Sequence, residues 1–145
     1  MRTRPVFLGT VGLVLIATAA NSAESQRRAE PSAERRILAA AEVPWEKLDN
    51  GWQRKAVFSG QLTLVVLQVK GPTSGPISLQ THVNDQITYV VEGEIIARVG
   101  DETRKIGQGG FFRVPSNAPH GVQILTPSAQ LIDVFTPPRE DFRKK

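Results

Sequence analysis

The sequence predicts an all-β domain, a sandwich or barrel of short antiparallel strands, and three observations predict it. From Pro44 onward helical periodicity disappears, and Gly and Pro cut the chain into short runs rich in β-branched and aromatic residues. Turn signals recur at Ser59-Gly60, 71–75, Glu92-Gly93, Gly100-Asp101 and 115–119. Side chains in the best runs sort onto two faces with the period of two that a strand imposes.

In chain order, residues 1–23 read as an export signal. Arg2, Arg4 and the amino terminus give a positive end, residues 6–20 form an uncharged run of 15, and small residues follow up to Ala23. The run is short of the roughly 20 apolar residues of a membrane span, so no stable membrane anchor is expected after cleavage. The mature protein is expected in the periplasm or secreted. Residues 24–43 read as a linker, with a short helix in 32–42 after Pro31. The folded domain is expected over 44–145. Its strands are expected at 53–58, 61–70, 77–81, 86–92, 94–99, 110–114, 121–125 and 130–135.

Alternation assigns the faces. Gln86, Thr88 and Val90 share one face of their strand, and Ile87, Tyr89 and Val91 the other. Leu131, Asp133 and Phe135 oppose Ile132 and Val134 in the same way. Both faces are rather apolar, which suits a strand between a pocket and a second layer, or one against a partner. A homodimer is therefore expected, because the chain has no Cys and a small domain must then rely on its core and on association. Arg2 and Arg4 would leave with the signal, taking the formal charge from +4 to +2. The remaining Arg and Lys pairs are offset by nearby Glu and Asp and lack a stripe of stacking aromatics, so nucleic-acid binding is not expected.

The chain has only two His. His82 lies in Gln80-Thr81-His82 followed by Gln86 and Gly93. His120 lies in a run that starts at Gly109 and passes Pro115 and Asn117. Gln80 and His82, two apart on an extended segment, point to one side. Gln86 opens the next strand and His120 a later one. Four nitrogen or oxygen donors can thus meet inside a barrel, a set that suits Zn²⁺, Ni²⁺, Mn²⁺ or Fe²⁺.

These two segments resemble the two motifs of the cupin family, over a stretch running from about Pro44 to Phe142. The resemblance implies a single jelly-roll β-barrel whose pocket holds a divalent metal on Gln80, His82, Gln86 and His120. Gln80 stands where the family usually has its first His, Gln86 where many members have Glu, and Asn117 where a Gly is usual. Two His and two amides bring no ligand charge, so weaker metal binding than at a three-His site is expected.

The segment Asp133, Phe135, Arg139 resembles the end of cupins that open the ring of unsaturated uronates. That resemblance implies Asp133 as the proton-transfer group, Arg139 as a fork on a substrate carboxylate, and Phe135 and Thr88 as pocket residues. Phe112, sharing a strand face with Val114, is the remaining aromatic placed at the ligand. The reading is an exported cupin acting on a small carboxylated sugar as an isomerase or ring-opening enzyme. The alternative is a non-catalytic binding module with a degenerate metal site, which Gln80 favours. A third, an oxygen-using dioxygenase, is disfavoured by the missing His.

Mass spectrometry of the protein from its native compartment should find a first residue between Ala20 and Glu24. An intact Met1 in the soluble fraction would contradict the export reading.

Overall fold

Why the barrel has one apolar and one polar end is visible in three neighbouring strands of the computed structural model. The model describes residues 37–143, all within one unit, Arg35–Lys145. The signal and most of the linker, with residues 32–36 of its expected helix, lie outside the described residues. The strands are β1 (Glu46–Lys47), β2 (Gln53–Phe58), β3 (Thr63–Lys70), β4 (Asp85–Glu92), β5 (Glu94–Val99), β6 (Glu102–Gly107), β7 (Phe111–Val114), β8 (His120–Ile124) and β9 (Ser128–Thr136). They form a six-stranded sheet in the order β1-β2-β3-β9-β4-β7 and a three-stranded sheet in the order β6-β5-β8. Every described pairing is antiparallel.

β4 crosses β9 with Val90 opposite Leu131, Thr88 opposite Asp133 and Gln86 opposite Phe135. β3 continues the rows, with Val65 opposite Asp133 and Thr63 opposite Phe135. All of these side chains are buried. At one end Val69, Val90, Ile95, Ile124 and Leu131 make a dry core, whose burial is the main stabilising term. At the other end the inward positions turn polar, through Thr88, Gln86 and Asp133. The alternation expected for β4 and β9 is the one observed.

Three local expectations need correction. The strand expected at 77–81 is reduced to a single bridge between Gln80 and His120. The Gly- and Pro-rich approach at 71–76 keeps this segment out of a ladder, since Pro has no N–H to donate. β6 was not expected. Glu102, Thr103, Arg104 and Lys105 are all exposed, so this edge strand shows no apolar alternation and carries the charges that keep an edge from pairing further. Of the expected helix, the described part holds only a 3-10 turn at Ala40–Glu42.

Gly93 joins β4 to β5 at φ 89°, and a Cβ there would lie 2.7 Å from the Ala129 Cβ and the Ser128 carbonyl. Gly100 has φ 58° with open space around it. Gly100→Ala should therefore cost only the left-handed backbone, about 1–2 kcal/mol. Gly93→Ala should cost clearly more, because backbone must also move. Denaturant unfolding of both variants checks the order, and equal losses would contradict it.

Candidate metal centre and cavity

His82 and His120 meet inside the polar end, with ring centroids 4.7 Å apart and planes at 75°. Each ring is anchored the same way. His82 Nδ1 lies 3.0 Å from the carbonyl oxygen of Asn84, and His120 Nδ1 lies 2.9 Å from that of Ala118. A carbonyl only accepts, so each Nδ1 carries the proton and each Nε2 presents a lone pair inward. This is the arrangement that orients a metal-binding imidazole. Burial holds the His120 imidazole below its ordinary range, against the bond to Ala118 and with the charges of His82 and Arg139 lowering it further.

Both carbonyls are themselves fixed. The buried Asn84 side chain donates to the carbonyl of Pro137 at 2.6 Å. Ala118 donates its N–H to Pro115 at 3.0 Å, and Asn117 donates to the His82 carbonyl at 2.8 Å. Asn117 has φ 61°, the left-handed backbone that Asn tolerates better than most residues. The two motif segments are therefore tied directly to each other.

Gln86 completes the centre. Its amide N–H donates to Thr88 Oγ1 at 2.9 Å, and the Thr88 hydroxyl donates to Asp133 Oδ1 at 2.6 Å. A carboxylate at the end of this chain sets its direction, so Gln86 turns its Oε1 toward His82 Nε2, 3.0 Å away. With Nδ1 protonated, these two atoms are both acceptors. A cation between them satisfies both. Donors held about 2 Å from one first-row ion lie about 3 Å apart, so the spacing fits a divalent metal. Gln80 places its Nε2 3.4 Å from His120 Nε2. That amide donates to the histidine as it stands, and would have to turn over to offer oxygen to an ion. Among the described residues no three His, Cys, Asp or Glu side chains gather as a metal site; the centre is built from two imidazoles and two amides.

Asp133 is 6 % exposed. It borders a cavity of about 220 Å³ lined also by Gln80, Phe135, Arg139, Arg54 and Phe142. Phe135 stands edge-on to His82 with centroids 5.5 Å apart, which joins the cavity to the centre. Two expected ligand residues are placed otherwise. Thr88 is fully buried, its hydroxyl held between Gln86 and Asp133, so it positions those groups instead of contacting a ligand. Phe112 packs against the apolar core and lines a separate cavity of about 470 Å³ between β5, β6 and β7. None of the four donor residues, Asp133 or Arg139 lines that larger cavity.

Arg139 lines the cavity and is paired within its own turn. Its Nε and Nη2 donate to the two oxygens of Asp141 at 2.9 and 2.8 Å, so the side edge of its guanidinium is already occupied. Arg54 was not singled out in the sequence. It lies between Gln53 and Lys55 and reads as surface, but pairing with Leu67 turns it inward.

Burial pushes the Asp133 carboxyl up to about 6, against the bonds of Thr88 and Gln86 and the charge of Arg139. An unfolded Asp titrates near 3.9, so the native state holds this proton longer. Its contribution to stability should fall as pH rises from about 4 to 6, by about 3 kcal/mol in all. Asp133→Asn should remove that fall. Denaturant midpoints of both metal-free proteins at pH 4.5 and 7.5 check this, and an identical pH dependence would contradict it.

The comparisons agree with this geometry. A model of the cupin domain matches residues 57–135. The chain is 36 % identical over 110 residues to the pectin degradation protein KdgF of Dickeya dadantii (strain 3937), covering 74 % of this chain and 98 % of that protein. The solved structure of KdgF from Halomonas sp. aligns with a TM-score of 0.68 at 29 % identity, over 75 % of this chain and 99 % of that one. An RmlC-like cupin from Shewanella frigidimarina NCIMB 400 aligns with a TM-score of 0.68 at 28 % identity, over 77 % and 98 %. With both motifs tied into one centre inside a jelly-roll barrel, the chain belongs to the cupin family.

Proposed function

We propose that this cupin opens the ring of a small unsaturated uronate of the kind released from pectin, using Asp133 to move the proton. The observation that carries the proposal is the placement of Asp133. It is a buried carboxyl on the wall of a sugar-sized cavity, joined through Thr88 to a residue of the histidine centre. The similarity to two KdgF proteins supports the substrate class.

The chemistry asked of the site is an isomerisation. The anomeric hydroxyl gives up its proton as the bond from the anomeric carbon to the ring oxygen breaks. The ring oxygen leaves as an enolate, and its carbon–carbon double bond then takes a proton to give the ketone. A carboxyl titrating near 6 both accepts and returns a proton at neutral pH. Phe135 walls the cavity beside Asp133. His82, His120, Gln86 and a turned Gln80 would hold a divalent cation, which supplies Lewis acidity toward a sugar oxygen when bound. The cavity is smaller than the roughly 300–1,000 Å³ of drug-sized sites, which favours one sugar ring over a long oligosaccharide.

The proposal places the reaction outside the cytoplasm, from the positive end and apolar run of residues 1–23, and in a homodimer. For the dimer, Val57, Leu64, Val134 and Ile87 stand in one cross-strand row on the outer face of the large sheet. A second reading, a binding barrel without catalysis, is favoured by Gln80 alone, whose amide satisfies His120 without a metal.

Metal-loaded wild type should open unsaturated mono-uronates followed by NMR. Asp133→Asn should lower turnover by about two to four orders of magnitude with binding largely kept. Wild type inert on the whole panel with every metal tried would contradict the proposed reaction, and a large loss of stability in Asp133→Asn beside it would favour the non-catalytic reading.

A further inference from the structure

We infer that the cavity beside Asp133 continues across Trp52 and Gln80 into a second, uncharged lobe, which takes the hydroxylated open-chain end of the ligand once its ring has opened. The inference rests on the ring opening proposed above and adds where the lengthened chain goes. Asn50, Trp52 and Gln80 line both the cavity of about 220 Å³ and a neighbouring one of about 340 Å³, so the two meet at these three side chains. Gln80 places its amide 3.4 Å from the His120 ring nitrogen. The second lobe therefore begins next to the histidine centre.

The two lobes differ in chemistry. Asp133, Arg54 and Arg139 stand in the first. Among the described residues no charged side chain lines the second, whose polar groups are the hydroxyls and amides of Asn50, Thr73, Ser74, Ser78 and Gln123. Neutral donors and acceptors beside an indole suit hydroxyl and carbonyl groups, and they offer a carboxylate no cation. The proposed reaction makes a molecule with the same division. A sugar ring folds its carbon chain back on itself, and breaking the bond from the anomeric carbon to the ring oxygen lets the chain straighten. The carboxylate stays at one end, while the uncharged aldehyde and its neighbouring hydroxyls move to the other.

The second lobe is built in advance. The Trp52 N–H donates to Asn50 Oδ1 at 3.0 Å and its carbonyl accepts from Leu48 at 2.9 Å, and its side chain packs against the apolar core. The other wall is the segment 73–80, fixed at both ends. The Thr73 N–H donates to the Ile124 carbonyl at 2.9 Å, and Thr73 Oγ1 accepts from the Ile124 N–H at 2.9 Å. Gln80 and His120 exchange backbone bonds at 2.9 and 3.0 Å. Between these ends the segment lies directly on β8, because a Cβ at Gly121 would collide with the Ser78 carbonyl and lie 2.8 Å from Ile77 Cγ2. With both walls pinned, a ligand has little protein to order on entering.

The test compares two ligands that lack the double bond, so it does not depend on turnover. D-galacturonate and L-galactonate share their carbons and carboxylate, but L-galactonate has the anomeric carbon reduced and stays open. In methyl NMR of the zinc-loaded protein, L-galactonate should shift Leu67, which lines the first lobe, and also Ile77 and Val122, which line only the second. D-galacturonate should shift Leu67 and leave Ile77 and Val122 in place. Ser78→Tyr, at an exposed position, should fill the second lobe. In calorimetry it should weaken L-galactonate by about tenfold or more and change D-galacturonate by less than about twofold. If that variant does not fold, the methyl shifts of wild type decide alone. Silent Ile77 and Val122 with L-galactonate bound, equal losses for both ligands in Ser78→Tyr, or no binding of L-galactonate would each overturn the inference. Wild type that seats L-galactonate in the second lobe yet opens no unsaturated uronate would sink the proposed reaction and leave the lobe standing as a site for an open chain. Ring opening by a protein whose Ile77 and Val122 ignore L-galactonate would do the reverse.

Discussion

Two backbone carbonyls, of Asn84 and Ala118, take the Nδ1 protons of His82 and His120, and the chemistry of the barrel follows from that. Each carbonyl lies two residues from the ring it holds, one after its histidine and one before. Both rings are thus fixed by their own local turns, with their second nitrogens turned to a common centre. The rest of the polar end serves these turns. Asn117 ties the second to the carbonyl of His82, and the Asn84 side chain ties the first to the carboxy-terminal segment through Pro137. A jelly roll is needed because the two turns are 36 residues apart in sequence and only neighbouring strands of two sheets bring them together.

The same centre explains why a carboxyl is buried beside it. Left alone, Asp133 costs free energy at that depth. Its hydroxyl donor Thr88 offsets part of that cost and passes the polarity on to Gln86. One chain of hydrogen bonds therefore does two things. It orients the oxygen of Gln86 toward His82, and it offsets part of the burial that raises the pKa of Asp133 on the cavity wall. A buried polar network of this kind specifies a single arrangement when every member is satisfied, and here the facing acceptors His82 Nε2 and Gln86 Oε1 are left for a cation to satisfy. The apolar cluster at the opposite end supplies the stability against which such a network can be kept.

How much of this was legible in the sequence depended on whether a residue's surroundings were local. The inward face of β4 and β9 could be read because the alternation Gln86-Thr88-Val90 and Leu131-Asp133-Phe135 belongs to strands buried on one side. The meeting of His82 and His120 was legible from the order and spacing of their segments. β6 was not, because both faces of an edge strand rich in Glu, Arg and Lys look the same. Arg54 was not legible either. Its neighbours Gln53 and Lys55 are polar, and only the register with β3 shows that it faces in. For Arg139 the sequence left open a fork on a ligand or a pair with a nearby acid, and the 3-10 turn brings Asp141, two residues on, against one edge of its guanidinium. Thr88 and Phe112 were placed on the correct faces, but a face alone does not say how deep a side chain lies or which cavity it meets.

The most direct measurement of the account is long-range ¹⁵N–¹H correlation of the two imidazoles at neutral pH as Zn²⁺ is added. The account predicts that in the zinc-loaded protein both rings carry their proton on Nδ1, and that the Nε2 signals of both His82 and His120 move on metal addition. A neutral ring protonated on Nε2 in either residue, with no response to Zn²⁺, would contradict it.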